Sequence, residues 1–499
     1  MNSSYPHSSR KSAAGAGWTH CDGPGAWILD VPATKRRDSW LRPSTLWAAR
    51  NDTLSKFVYD PVDRARVVWV RLARERAESE GRDPDFVVRR GGESASFLLL
   101  GDPGEGDESQ YAVVPALLSQ AGDTDFTIIA SDVTYPAGEM GGYDTKFFRP
   151  YRDLDQPIYA IPGNHDWYDG LHGFMSHICG IDQPQAPLPV GPGIRGKIAR
   201  LLWRTTMRPD DRTLAAIRKA RGRVTQAPDP PQPGPYWAID AGPVRIVGID
   251  TGIFGSIDEE QAVWLRRVSF EPQRRPKILV TGKPLIVNSR RLDPKLAKAV
   301  DDVVRDERAN YKVAIGGDTH NYQRYPVTLP DGRPLQYVVS GGGGAYTHAT
   351  HQIPRVDLPD DGVAEDDFTC YPLRGDSLAR FSQLYDRRLA FGRGLLELTP
   401  EEAASYLSTG LEIEPTRGEQ VTLSRRARIA ARLLQPAPAK RGFHRLASEF
   451  FDWNEPPFFK SFLRVDAGDR EIRVRCFGVS GCANSGADPP VEDEFTVPI

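Results

Sequence analysis

The stretch Ile161-Pro162-Gly163-Asn164-His165-Asp166 decides how this chain is interpreted. It follows Pro157–Ala160, an apolar run that predicts a buried strand, and its glycine predicts a tight turn. Such a turn groups an amide oxygen that can bind a metal, an imidazole that can exchange a proton, and a carboxylate that can orient the imidazole. These groups could stabilise charge at a phosphoryl centre. The alternative is an ordinary polar turn after a strand, and the rest of the chain decides between the two.

Other short apolar runs also end in glycine or a carboxylate, and helix-like segments separate several of them. Strands that are buried on both faces and joined by helices indicate an α/β sandwich. The runs that predict strands are Ser96–Gly101, Phe126–Ser131, Val244–Asp250, Lys277–Gly282, Tyr311–Gly317, Leu335–Gly341, Ser461–Val465 and Glu471–Phe477.

Composition along the chain predicts its domain organisation. Residues 1–30 are rich in Ser, Gly and Ala and predict a mobile tail, and residues 31–95 predict a helical extension. One α/β domain is expected over 96–480, with insertions at about 183–235 and 354–457. Residues 481–499 are expected to be a C-terminal tail.

Overall composition is that of a soluble globular protein. The chain has 499 residues, 39% hydrophobic and 26% charged, with a formal net charge of -2, so nothing in its charge predicts a nucleic-acid partner. Five scattered cysteines indicate reduced thiols rather than a disulfide framework. No apolar segment follows Arg10 and Lys11, and no run is long enough to span a membrane. A cytoplasmic location is therefore expected.

Candidate metal ligands follow several of the predicted strands. Asp102 and Asp132 follow the first two, Asn164 and His165 the third, and His320 a late one. A single aspartate after a strand is usually a helix cap or a turn former, but repetition at successive strand ends argues against that explanation. Carboxylate, amide and imidazole donors suit Fe, Mn or Zn, and a shared aspartate could bridge two ions about 3.5–4 Å apart.

The order Asp-x-Gly, Asp-x-x-Tyr, Gly-Asn-His-Asp and Gly-x-x-His resembles the calcineurin-like metallophosphoesterase superfamily. Gly104 and Tyr135 make it more similar to the purple acid phosphatase branch than to the Asp-x-His branch. The resemblance covers roughly residues 96–479. It implies a four-layer α/β/β/α sandwich with a dinuclear site at its top edge.

The resemblance also implies a role for each residue. The second metal would share Asp132 and use Asn164, while a metal-bound hydroxide would attack the phosphorus. His165 would stabilise the phosphoryl oxygen or protonate the leaving group, with Asp166 orienting it. The first metal, expected to be iron accompanied by manganese or zinc, would be held by Asp102, Asp132, Tyr135 and His320.

Two positions depart from the family pattern. Lys283 stands where the family places a histidine ligand, and Asp318 stands where it has the first histidine of Gly-His-x-His. The second metal therefore loses two imidazoles and gains one candidate carboxylate. Whether one or two ions bind stays open. If one ion binds, Asp318 is expected to pair with the Lys283 ammonium; otherwise Asp318 is a ligand of a weak second ion.

Two functions follow from these residues. The first is metal-dependent hydrolysis of a phosphate ester; the second is a phosphate-binding or scaffold protein with a degenerate second metal site. Candidate substrate contacts are Arg324, whose planar guanidinium matches phosphate oxygens, together with His348 and Lys283. A salt bridge is the alternative for Arg324, and solvation is the alternative for His348.

Two basic segments lie inside the predicted insertions. One runs from Arg195 to Arg223 and includes Ile198, Leu201, Leu202 and Trp203; the other begins at Arg425. Basic amphipathic helices can rest on anionic membrane surfaces. A solvated helix face with salt bridges is the alternative.

Overall fold

A computed structural model describes residues 42–182, 191, 193–203, 208–224, 232–292, 297–415, 420–434, 457–481 and 488–499. The tail predicted at residues 1–30 lies outside these ranges. The described residues form two main β-sheets with helices around them.

The first main sheet has six strands in the order β18-β17-β16-β2-β3-β4. Strands β2, β3 and β4 are parallel, whereas β16, β17 and β18 extend the sheet in antiparallel fashion. Its members are β2 (Ala95–Gly101), β3 (Phe126–Ala130), β4 (Ile158–Ile161), β16 (Lys460–Ala467), β17 (Glu471–Val479) and β18 (Val491–Pro498).

The second main sheet has eight strands in the order β1-β5-β6-β7-β10-β12-β11-β15. Strands β6, β7, β10 and β12 are parallel to their neighbours in this run. Its members are β1 (Val87–Arg90), β5 (Trp237–Ala241), β6 (Val244–Ile249), β7 (Lys277–Thr281), β10 (Tyr311–Gly316), β11 (Tyr322–Thr328), β12 (Pro334–Ser340) and β15 (Thr369–Tyr371).

Two small hairpins complete the described strands: β8 (Ile286–Val287) with β9 (Arg290–Arg291), and β13 (Asp357–Leu358) with β14 (Val363–Ala364). The α-helices are α1 (Pro43–Ala48), α2 (Arg50–Phe57), α3 (Val62–Ser79), α4 (Glu108–Tyr111), α5 (Val113–Ser119), α6 (His172–His177), α7 (Ile194–Leu202), α8 (Asp211–Val224), α9 (Glu259–Ser269), α10 (Asp302–Arg305), α11 (Arg374–Leu389), α12 (Pro400–Leu411) and α13 (Arg425–Leu434). Among the described helices, none combines the length and the apolar character that crossing a lipid bilayer requires.

The two main sheets pack face to face. The Trp237 indole N–H of the larger sheet donates to the Ala160 carbonyl of the smaller one at 3.0 Å, and its ring lies 5.7 Å from that of Tyr159. Gly248 lies at this contact, where an added Cβ would be 2.5 Å from Ile161 Cδ1 and 2.9 Å from the Trp237 ring. The predicted α/β fold class is confirmed, and the pairing brings the ends of parallel strands from both sheets together.

Three boundaries differ from the sequence prediction. The expected C-terminal tail, 481–499, is wrong over Val491–Pro498, because this segment pairs along β17. Asp493 and Val497 are buried in this strand. Because Asp493 and its neighbours are charged, the sequence lacks the alternation of apolar and polar residues that predicts a strand. The helical extension ends in a strand, β1, at the edge of the larger sheet. The second insertion supplies β15 to the same sheet, as well as the largely buried helix α11.

Candidate metal centre

Abrupt turns follow the strands that carry the site. Asp102 after β2, Asp132 after β3 and Asp318 after β10 have φ angles of 56°, 38° and 63°, a region that non-glycine residues seldom occupy. The end of β2 approaches the larger sheet so closely that a Cβ at Gly101 would lie 2.2 Å from the Ser340 carbonyl oxygen. Backbone strain of this kind persists where the surrounding structure enforces it, as at functional sites.

Tyr135 is the centre of the buried cluster. Its hydroxyl oxygen lies 3.0 Å from Nε2 of His320 and 3.4 Å from Oδ1 of Asp102. Asp132 belongs to the same cluster, and all four side chains are buried. Ligands about 2.0–2.2 Å from one ion lie about 3 Å from each other, so the phenol, a carboxylate and the imidazole have the spacing of neighbouring ligands.

The orientation of His320 suits metal binding. Its Nδ1 lies 2.8 Å from the Tyr346 carbonyl oxygen. Because a carbonyl oxygen can only accept, Nδ1 carries the hydrogen, and Nε2 directs its lone pair toward Tyr135. Burial lowers the pKa of His320 to about 3, which keeps the imidazole neutral. His348 supports it from the other side: the rings stack at 4.2 Å, and His348 Nδ1 accepts a hydrogen bond from the His320 backbone N–H.

The charges of the cluster are not balanced by its own residues. Burial raises the pKa of Asp102 well above its usual range, and the neighbouring Asp132 and Asp318 raise it further. Burial also raises the pKa of Asp132, and burial together with these carboxylates raises that of Tyr135. Ionising the oxygen donors therefore requires a cation among them.

Within the described ranges, no three His, Cys, Asp or Glu side chains are grouped closely enough to hold a metal by themselves. The phenol of Tyr135 is the donor that joins Asp102 to His320. A mixed set of phenol, carboxylate and imidazole fits one hard or borderline cation.

His165 lies beside this cluster. Its backbone N–H donates to Asp132 Oδ1 at 2.8 Å, which ties the turn after β4 to the turn after β3. Its Nδ1 lies 2.7 Å from the Pro136 carbonyl oxygen, and its ring packs against the rings of Tyr135 and Tyr168 at 4.5 Å and 4.7 Å. The position of the imidazole is therefore fixed by the carbonyl and two aromatic rings.

The structure does not support the predicted role of Asp166 in orienting His165. The Asp166 carboxylate instead accepts backbone N–H groups of Val133 and Gly163, each at 3.0 Å, and of Thr134 at 3.4 Å. Burial and the nearby Asp132 raise its pKa to about 8 despite these bonds. Asp166 holds the two turns together, while the Pro136 carbonyl oxygen holds Nδ1 of His165.

Asn164 and Lys283 lie at the strand ends where the resemblance places the second ion. Asn164 Nδ2 donates to the Tyr168 hydroxyl at 2.8 Å. Lys283 Nζ donates to Asp318 Oδ1 at 2.7 Å, so the expected ion pair is present. An ammonium cannot bind a metal, and the Lys283 ammonium is paired with the carboxylate of Asp318. The residues at this position therefore do not fit a second ion.

The phosphate contact predicted for Arg324 is not supported. Its guanidinium makes two hydrogen bonds to Asp493, at 2.6 Å and 3.2 Å, and lies 5.1 Å from the ring of Phe495. Both charged partners are nearly buried, with 12% and 4% of their side chains exposed. Arg324 therefore fastens β18 to the larger sheet, which is the salt-bridge alternative.

The residues that the sequence did not reveal as part of the site are mostly backbone acceptors. The carbonyl oxygens of Pro136 and Tyr346 fix the two imidazoles, and a backbone carbonyl leaves no trace in residue type. Tyr168 had a weak signal, since it lies four residues after Asn164 in the same turn. Near the first strand end, the side chain of Asp107 caps α4 through Ser109 and Gln110.

Comparisons with known proteins find a family model that matches part of the chain. The family model of calcineurin-like phosphoesterases matches residues 95–190, which confirms the resemblance. No curated protein sequence matches the chain significantly.

Solved structures that resemble the chain include three with low identity. A purple acid phosphatase from yellow lupin seeds is 11% identical, with 82% of this chain and 54% of that chain covered and a TM-score of 0.41. The inner membrane complex anchor GAP50 of Plasmodium is 10% identical, with 82% and 90% covered and a TM-score of 0.42. PhoD is 9% identical, with 82% and 70% covered and a TM-score of 0.39. The chain thus spans about half the length of the lupin phosphatase. The part of the chain that matches the family model includes every predicted site residue of the first three strand ends.

Proposed function

We propose that this protein hydrolyses phosphate esters in a metal-dependent reaction. The observation that carries the proposal is the convergence of Asp102 and His320 on the Tyr135 hydroxyl, at 3.4 Å and 3.0 Å, beside a fixed imidazole. Three of these four residues, including His165, belong to the segment that matches the phosphoesterase family.

The cation would be held by Asp102, Asp132, Tyr135 and His320, with iron as the proposed metal and manganese or zinc as alternatives. When bound, it supplies Lewis acidity toward a phosphoryl oxygen and activates water at neutral pH. The protein supplies a buried, preformed ligand set whose turns are already tied together by backbone hydrogen bonds to Asp132 and Asp166.

His165 is proposed to move the proton. Because Nδ1 donates to the Pro136 carbonyl oxygen, Nε2 is the nitrogen that gains or loses a proton. A protonated Nε2 can donate to a phosphoryl oxygen as charge develops, or to the oxygen of the leaving group. The two flanking tyrosine rings, Tyr135 and Tyr168, keep the imidazole in one orientation during that transfer.

A second candidate function rests on the Lys283–Asp318 ion pair. If losing the second ion abolishes turnover, the same pocket would bind a phosphorylated ligand without cleaving it. The preformed cluster around Tyr135 favours chemistry, because binding alone does not require a buried set of metal donors.

The test is to measure hydrolysis of a chromogenic phosphate monoester and diester together with metal content by elemental analysis. Turnover that is lost with a chelator, restored by iron or manganese, and abolished in Asp132→Asn supports hydrolysis. Asp107→Asn is the matched control, since that buried aspartate caps a helix. Metal-loaded protein that cleaves neither ester, yet binds inorganic phosphate, would favour the second candidate.

The cytoplasm remains the proposed compartment. The supporting observation is that Cys179, Cys370 and Cys476 are buried thiols. Measuring where the tagged full chain fractionates in its cell of origin would test this directly.

A further inference from the structure

Lys283 follows the end of β7, where the backbone packs on the turn that precedes Asn164 and His165. The residue before it, Gly282, packs so closely on that turn that an added Cβ would lie 2.9 Å from the Pro162 carbonyl oxygen. The backbone immediately before Lys283 is thereby fixed against this turn.

Asp318 fixes the other end of the lysine. Its carboxylate accepts from Lys283 Nζ at 2.7 Å, and its backbone N–H donates to Asp102 Oδ2 at 2.8 Å. Asp318 is therefore in direct contact with Asp102, a proposed metal ligand. The Lys283 ammonium is linked to the cluster through Asp318. With 16% and 27% of their side chains exposed, Lys283 and Asp318 remain open to a ligand from solvent.

We propose that the Lys283 ammonium takes the place of the second cation: it binds a phosphoryl oxygen of the ester, and the site holds a single metal ion. This inference rests on the proposed function. An ammonium has three N–H donors, of which Asp318 engages one, so donors remain for phosphate. Asp318 positions the lysine, because its own backbone is anchored on Asp102.

Ion stoichiometry tests the first part. The metal-stripped full chain is titrated with Mn²⁺ by calorimetry, and the expected result is one tight event per chain. The double variant Lys283→His with Asp318→His should add a second event, because it restores two imidazoles. Two tight events in the unmodified protein, or none, would overturn the inference.

Phosphate affinity tests the second part. Inorganic phosphate is titrated into Mn²⁺-loaded protein, and Lys283→Gln should weaken its binding roughly tenfold or more, since a charge-assisted hydrogen bond is lost. Lys283→Arg should recover most of that affinity, because its guanidinium also donates to phosphate. Lys312→Gln, on the neighbouring strand β10, is the matched control and should leave phosphate affinity unchanged.

The outcomes separate this inference from the proposed function. Unchanged phosphate affinity in Lys283→Gln would overturn the inference even if the enzyme turns over esters. One ion and a lysine-dependent phosphate affinity, without ester cleavage, would support the inference and reject hydrolysis. Circular dichroism of Lys283→Gln, compared with Lys283→Arg, checks that the variants fold alike.

A different feature, helix α7, carries a second inference. Its small residues Gly196 and Ala199 face inward and are buried, whereas the large apolar side chains face outward. Ile194 is 78% exposed and Leu201 83%, and Ile198 lies between them on the same helix face. A globular helix normally shows the reverse arrangement, so this apolar face is available to something outside the chain.

The apolar face continues onto α1. Arg50 donates to the Leu202 carbonyl oxygen at 3.0 Å, and its guanidinium lies 4.3 Å from the centre of the Trp47 ring. Trp47 and Leu46 are 66% and 57% exposed. The exposed basic residues of α7, interleaved with its apolar ones, are Arg195, Lys197 and Arg200.

We infer that this α1–α7 face rests on an anionic lipid surface. Large apolar side chains interleaved with Lys and Arg match the boundary between acyl chains and anionic headgroups. A protein partner would instead require a complementary surface that is both acidic and apolar.

Sedimentation of the full chain with vesicles tests this inference. Vesicles of phosphatidylcholine with one third phosphatidylserine should bind the protein at moderate salt, and phosphatidylcholine alone should bind it much less. The double change Ile194→Ser with Leu201→Ser should weaken binding at least tenfold, because each side chain loses its apolar burial in the interface. The control is Phe391→Ser, which changes an 81% exposed residue outside this face. Equal binding of the double variant, no binding to either vesicle, or concentration-dependent self-association through this face would each overturn the inference.

Discussion

The two halves of the candidate site lie at the ends of neighbouring strands but balance their charges differently. In the half around Tyr135, burial raises the pKa values of Asp102 and Tyr135 and lowers that of His320, so an added cation would favour the ionised oxygen donors. In the other half, Lys283 meets Asp318 at 2.7 Å and the charge is compensated within the chain. Under the proposed function, the fold would present a metal position and an internal ammonium side by side, and Lys283 and Asp318 would distinguish the two halves.

The largest effect is expected for His165, whose backbone N–H donates to Asp132 Oδ1. Changing His165 to Asn removes the proton-transferring imidazole, and turnover should fall by about 10²–10⁴. Metal content should stay constant, since His165 is not among the proposed ligands. Single-turnover kinetics with elemental analysis provides the measurement. Normal turnover in this variant would mean that the fixed imidazole has no part in the chemistry.

A second prediction compares two ion pairs of different burial. Asp250 accepts from Arg66 at 2.8 Å and from the Trp167 indole at 2.9 Å, and both charged side chains are 0% exposed. Changing Asp250 to Asn should lower the free energy of unfolding by up to about 3–5 kcal/mol, because the buried Arg66 guanidinium then keeps only Asp63 and Asp258 as charged partners. Denaturant unfolding measures the change.

The matched variant is Lys283→Gln, which breaks a partly exposed pair. Its cost in unfolding free energy should stay within about 1 kcal/mol, as for other solvent-accessible pairs. If Lys283→Gln destabilised the fold as strongly as Asp250→Asn, the lysine would be structural and the contrast between the two halves would disappear.

A third prediction concerns the metal half alone. Tyr135→Phe removes the oxygen that joins Asp102 to His320, and ion affinity should fall by at least about 10–100-fold, the range seen when the partners of metal ligands are lost. If iron is the metal, the visible absorption of the phenolate should vanish while the far-ultraviolet circular dichroism is kept. Iron-loaded protein that lacks colour before the substitution would reject Tyr135 as a ligand.

The sequence predicted the fold well, because buried parallel strands are continuous apolar runs with abrupt ends. It also predicted which turns meet, since Asp102, Asp132 and His320 all follow such strands. It failed at β18, where Asp493 and other charged residues interrupt the apolar pattern. That failure also explains the misassigned role of Arg324, because the partner of the arginine lay in a segment interpreted as a tail.

Within the site, residue types were easier to predict than orientations. Asp166 follows His165 directly, yet its carboxylate faces the backbone N–H groups of two turns. The imidazole is held by the Pro136 carbonyl oxygen, which only the folded backbone places there. The Lys283–Asp318 pair could be expected because both residues depart from the family pattern at positions that meet in the fold.

Anomalous X-ray diffraction from crystals grown with iron and manganese, recorded at both absorption edges, tests the contrast between the two halves most directly. We expect one anomalous peak, surrounded by Asp102, Asp132, Tyr135 and His320 at about 2.0–2.2 Å. Lys283 should remain paired with Asp318 and have no peak beside it. A second strong peak between Asn164 and Asp318, with the lysine turned away, would contradict the account and establish an ordinary two-metal site.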